Sequence, residues 1–149
     1  MKLSSTVSCS CLAFAFVIAP LIAAAENWPA FRGPTGMGIS QEKDLPLSWN
    51  AADGSNVLWK VPLPATVVEG KADHTQSSPI VWQDRVFVTT AFWQKDRKSD
   101  EFPEQRLTCY QLSNGEQLWD TPIPAGPWKL SDLRGGYCAP TPVTDGERV

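Results

Sequence analysis

An all-β fold assembled from repeated four-stranded antiparallel sheets is predicted by three features of this sequence: a tandem repeat, a wide scatter of helix breakers, and strand-turn patterning. The repeat is the strongest of them. Leu58-Trp59-Lys60-Val61-Pro62-Leu63-Pro64 returns as Leu118-Trp119-Asp120-Thr121-Pro122-Ile123-Pro124, an offset of 60. Ser78-Pro79-Ile80-Val81-Trp82-Gln83-Asp84-Arg85-Val86 returns as Thr141-Pro142-Val143-Thr144-Asp145-Gly146-Glu147-Arg148-Val149, an offset of 63 that keeps Pro, Arg and Val in register. Two motifs recurring in one order at nearly one spacing mark a tandem array. The 13 prolines and ten glycines leave no stretch after residue 26 with apolar residues at helical spacing and no breaker.

Four strands follow within one period. Ser78 to Trp82 is short and apolar, and Gln83-Asp84 makes a tight turn. Arg85 to Trp93 is rich in the β-branched and aromatic residues that suit a pleated surface. A polar segment, Gln94 to Gln105, leads to a third strand over Arg106 to Leu112. Asn114-Gly115 is the pair suited to a two-residue hairpin, and Gln117 to Thr121 is the fourth strand, ended by Pro122 and Pro124. Such a meander has two open edges and two faces to cover. Radial repetition, blade against blade, covers the faces, so the predicted architecture is a β-propeller of which only the first blades are present. An extended N-terminal segment (26–55) precedes a partial propeller (56–149), made of strand residues 57–64, a blade at 78–124 and the start of a next blade at 138–149. On this reading Leu58 to Val61 is the outer strand of a blade completed elsewhere, and the chain is an N-terminal fragment.

These residues resemble a known family. Cys109, Gln111, Asn114, Gly115 and Trp119 hold the spacing of the tryptophan-docking motif of pyrroloquinoline-quinone-like (PQQ-like) propeller repeats, Ala-x-Asp-x-x-Thr-Gly-x-x-x-Trp. Gly115 and Trp119 match, whereas Cys109, Gln111 and Asn114 replace the motif's Ala, Asp and Thr. Asn27-Trp28-Pro29-Ala30-Phe31-Arg32-Gly33-Pro34 is similar to the mature start of secreted members. The resemblance implies that Trp59, Gly115 and Trp119 dock blades together. It implies no particular activity, because one fold hosts enzymes, scaffolds and binding modules.

Residues 1–25 read as a secretory signal. Lys2 is the single charge, an apolar run extends from Leu12 to Ala24 around Pro20, and Ala23-Ala24-Ala25 precedes Glu26. The run is short for crossing a bilayer as a retained anchor. Cleavage is expected after Ala25, giving a periplasmic or secreted chain with no transmembrane segment, and it removes Cys9 and Cys11. The remaining chain keeps 12 basic against 16 acidic residues, with no basic cluster to displace counterions from a nucleic acid. Cys109 and Cys138 remain where a disulfide could persist, but spacing alone does not decide whether they pair.

Alternate connections of a meander share one end of the sheet. The long ones, Ala65 to Ser77, Gln94 to Gln105 and Ala125 to Tyr137, therefore gather on one face, the expected place for function. His74 is the single histidine and reads most simply as a solvated loop residue. Trp128, Arg134 and Tyr137 suit stacking or anion contact, but read more simply as plugging the gap between blades. Metal-ligand spacing, nucleophile motifs and a phosphate loop are missing: Gly33-Pro34-Thr35-Gly36-Met37-Gly38 has no phosphate-loop lysine and reads as a turn. The expectation is a non-catalytic binding or scaffold module that engages a protein or other envelope macromolecule, similar in plan to BamB-like members of the family. No cofactor is predicted. The alternative is a quinoprotein dehydrogenase using PQQ and calcium, its site lying in further sequence.

Overall fold

The computed structural model describes residues 26–63, 67–68, 71–72, 76–93, 103–124 and 138–149. Its strands are β1 (Val67–Val68), β2 (Lys71–Ala72), β3 (Ile80–Trp82), β4 (Arg85–Phe92), β5 (Glu104–Gln111) and β6 (Gln117–Ile123). β1 and β2 form a small antiparallel pair. The other four make one antiparallel sheet in the order β3-β4-β5-β6. The chain is all-β, with no helix among the described residues, as its repeat and its breakers predict.

Local chemistry moves several element ends from their predicted places. Glu104 and Gln105, expected in a polar loop, pair with Phe92 and Ala91 and open β5. The β5-β6 connection is a five-residue loop, Leu112 to Glu116, in place of the two-residue turn expected at Asn114-Gly115. Gly115 N–H donates to Gln111 O at 2.9 Å and Gln111 N–H to Glu116 O at 2.8 Å. Gly115 has φ +73°, while Asn114 keeps a negative φ and its Oδ1 accepts from Glu116 N–H at 2.9 Å. β6 continues through Pro122, which pairs with Arg106. An edge strand tolerates proline where a central strand would not, because one side of its backbone needs no ladder partner. Leu58 to Val61 forms no strand, although the Trp59 and Val61 side chains cover the sheet. Gln83-Asp84 is the tight turn expected, with Gln83 at φ +53°.

Pairing fixes two faces. Ile80, Phe87 and Cys109 are buried on one, with Trp82 and Leu107 packed against them. Val86, Val88 and Tyr110 are buried on the other, beneath Trp59, Val61 and Leu112. An irregularity in β6 decides which tryptophan neighbour faces which way. Tyr110 pairs with Gln117 but Cys109 pairs with Trp119, so Leu118 is an extra residue at a bulge. Without it Leu118 would oppose Cys109, since a one-residue slip exchanges the two faces. The bulge thus places Trp119 on the Phe87 face, with ring centroids 5.8 Å apart.

Candidate functional site

Each face of the sheet is met by a segment from a different side of it in sequence. On the Tyr110 face the Trp59 indole lies 6.4 Å from the Tyr110 ring and its Nε1–H donates to Leu112 O at 2.6 Å. The same indole rests on Gly115, where an added Cβ would stand 2.7 Å from Cδ2 and Cε3. Only a glycine allows that approach, and its left-handed φ turns the loop beneath the ring. On the Phe87 face the partners come from residues 138–149. Ser78 N–H donates to Thr141 Oγ1 at 3.0 Å, and Thr89 Oγ1–H to Pro140 O at 3.1 Å. Trp82 lies on Gly146, whose added Cβ would come within 2.7 Å of Cζ2.

The repeat alignment acquires physical meaning here. Gln83 and Gly146 are equivalent positions, and both have positive φ, +53° and +95°. Ser78 and Thr141 are also equivalent, and they bond to each other directly. Trp28 and Pro29 bridge the same two repeats. Trp28 exchanges both backbone hydrogen bonds with Val81, at 2.7 and 2.9 Å, and Pro29 O accepts from Thr144 N–H at 3.0 Å, Val81 and Thr144 being equivalent residues. The N-terminal segment is thus a strap along the β3 edge, covering backbone groups that would otherwise invite another strand.

Trp119 has no such seat among the described residues. It is 37% exposed and borders a groove of about 540 Å³ lined by Trp82, Phe87, Leu107, Gly146 and Arg148. Its repeat equivalent Trp59 is docked on one face while Trp119 stands half free on the other. Of the predicted docking residues, Trp59 and Gly115 are brought together and Trp119 is held apart from both.

The long connections leave from one end of the sheet, where Phe92 pairs with Glu104 and Gln105 with Ile123. His74, Trp128, Arg134 and Tyr137, the residues expected to face a ligand or partner, lie in these connections and outside the described residues. What the structure places at that end is a charged group absent from the sequence reading. Arg106 Nε–H donates to Asp120 Oδ2 at 2.6 Å, its Nη1–H donates to Glu104 Oε1, and Thr108 Oγ1–H donates to Asp120 Oδ1 at 3.1 Å. The hydrogen bonds that Arg106 donates to Glu104 and, next, to Asp120 raise the guanidinium pKa further, so Arg106 stays charged at any working pH. The sequence signal is the same-face spacing of Glu104, Arg106 and Thr108, which a strand starting at Arg106 conceals. Among the described residues no group of three His, Cys, Asp or Glu side chains could hold a metal ion.

Cys109 and Cys138 are both buried free thiols, so the disulfide left open by the sequence is not formed. Burial raises both thiol pKa values, chiefly through desolvation. The thiolate is the nucleophile, so each is expected to be inert while the sheet is closed. Iodoacetamide should label native protein about 100-fold more slowly than unfolded protein, by the protection that burial in a core affords. Equal rates, followed by mass spectrometry, would contradict the packing described here.

Comparison with family models, with curated proteins and with solved structures returned no match.

Proposed function

We propose that this sheet is one blade of a β-propeller of the PQQ-like repeat kind, and that the exported chain serves as a non-catalytic binding or scaffold module of the cell envelope. The observation that carries the proposal is the relation of the two equivalent tryptophans. Trp59, from before the sheet, seats on Gly115 of one face, and Trp119 projects from the other face beside an open groove. A unit that receives a tryptophan on one side and offers one on the other propagates in a single direction. Face-to-face propagation of four-stranded meanders about an axis yields a propeller. The direct bond between equivalent residues Ser78 and Thr141 supports the same stacking. Long connections gathered at one end of a rigid sheet suit recognition of a large partner.

Affinity capture from envelope extract tests the function. The intact chain is expected to recover a reproducible macromolecular partner, and replacement of 94–102 and 125–137 by Gly-Ser linkers is expected to lose it. Dye reduction with an alcohol or sugar substrate after addition of PQQ and calcium would overturn the non-catalytic reading.

Acid sensitivity of the Trp82 contact is a smaller expected effect. Asp145 Oδ1 accepts from Arg148 N–H at 2.8 Å and from Glu147 N–H at 2.9 Å, and these bonds hold its carboxyl pKa below the ordinary value. A depressed folded pKa stabilises above the unfolded value and ceases to do so as pH falls through the folded one. The turn carrying Gly146 therefore weakens below about pH 4. Asp145→Asn keeps an acceptor that does not titrate, and its thermal midpoint should fall less steeply on that acid limb. An unchanged acid limb would show that this carboxylate does not hold the turn.

A further inference from the structure

We infer that removal of the signal segment creates a structural ion: the α-ammonium of Glu26 pairs with the Glu42 carboxylate and closes residues 26–42 into a loop behind the Trp28 strap. The inference rests on the export reading, cleavage after Ala25, and adds what cleavage does to the mature fold.

The main-chain nitrogen of Glu26 donates to Glu42 Oε1 at 2.5 Å. The side chain of the same residue accepts at Oε2 from Ser40 Oγ–H at 2.5 Å and from Gln41 N–H at 3.0 Å. Ser40 Oγ also accepts from Glu42 N–H at 3.1 Å. The Glu42 carboxylate thus receives the backbone nitrogen of Glu26, while the Glu26 carboxylate is held by Ser40 and Gln41. Among the described residues, neither is in an ion pair with a lysine or arginine. While the bond to Ala25 is intact that nitrogen is a neutral amide with one proton, and it offers the Glu42 carboxylate no formal positive charge.

Hydrolysis of the Ala25–Glu26 bond by a signal peptidase adds water across it. The hydroxyl goes to the Ala25 carbonyl carbon, and the freed amine of Glu26 takes up protons to become an ammonium, its ordinary form near neutral pH. The charge then arises on an atom already at hydrogen-bond distance from Glu42, and a hydrogen bond from a neutral donor becomes an ion pair. Asn27 and Trp28 follow immediately, and they hold Gln83 N–H and both backbone groups of Val81. Anchoring Glu26 thus restrains the strap on the β3 edge.

The test uses three versions of the mature chain: one beginning at Glu26, the same chain with Glu42→Gln, and one that retains Ala25 as its first residue. The readout is the α-amine titration midpoint, followed by the pH dependence of reductive methylation, with tryptophan emission confirming the fold of each. The chain beginning at Glu26 should titrate about half a unit higher than the Glu42→Gln variant, the size expected for an exposed pair. The chain that retains Ala25 should lose the upward shift and titrate with the Glu42→Gln variant, and about 0.5 M salt should shrink the difference between the first two. Equal midpoints with and without the Glu42 charge would overturn the pairing. N-terminal sequencing of the exported protein tests the other half: a first residue other than Glu26 would overturn the export reading, and with it the creation of the pair by maturation.

Discussion

Gly115→Ala is expected to unseat Trp59 and to destabilise the sheet by about 2–3 kcal/mol. The sum has two parts. Alanine held at a left-handed φ costs about 1–2 kcal/mol relative to an unstrained position. Its Cβ would also meet the indole at 2.7 Å, closer than two carbons approach, so the ring must withdraw. Withdrawal breaks the bond from Trp59 Nε1–H to Leu112 O, worth about 1 kcal/mol net. A rigid ring bonded to the loop it covers cannot move aside as a flexible side chain would. Urea unfolding followed by tryptophan emission measures the loss. Trp59→Ala in the Gly115→Ala background should then add little, because the contact is already gone. Additive losses in that double variant would contradict the dock.

Thr90→Val should act in the opposite direction and stabilise by about 1 kcal/mol. Thr90 is fully buried, and its Oγ1 has no hydrogen-bond partner among the described residues. It opposes Arg106 in the β4-β5 register, but Arg106 is directed to Glu104 and Asp120. A buried hydroxyl without a partner carries its desolvation cost uncompensated. Valine has nearly the same shape and is comfortable in a strand. The urea midpoint should rise with the slope unchanged. A fall would mean that the hydroxyl has a partner the described residues do not include.

Much of this architecture was legible in the sequence because it repeats. Strand-turn patterning within one period carries the four-strand meander, whereas the contact of Trp59 with Gly115 appears only in the structure. A proline near a strand end was misleading, since Pro122 looked like a terminator and is instead paired on the edge strand. The bulge at Leu118 was invisible for a different reason. It depends on which of two large apolar neighbours fits beside Phe87, a matter of packing across three strands. Arg106 and its two carboxylates escaped because charged residues in a polar stretch read as solvated until register brings them together. Gly146 escaped too. Alignment with Gln83 implies a turn there, but the left-handed φ and the indole from the preceding repeat that sits on it are seen only in the structure.

Stacking of flanking segments on opposite faces of one sheet is most directly tested by the proton shifts of two glycines. If Trp59 covers Gly115 and Trp82 covers Gly146, the Hα resonances of both glycines lie under indole rings. Both should be displaced upfield, with nuclear Overhauser contacts from Gly115 to the Trp59 ring and from Gly146 to the Trp82 ring. Random-coil shifts at both glycines, with no contact to either indole, would contradict the arrangement and the propeller proposal built upon it.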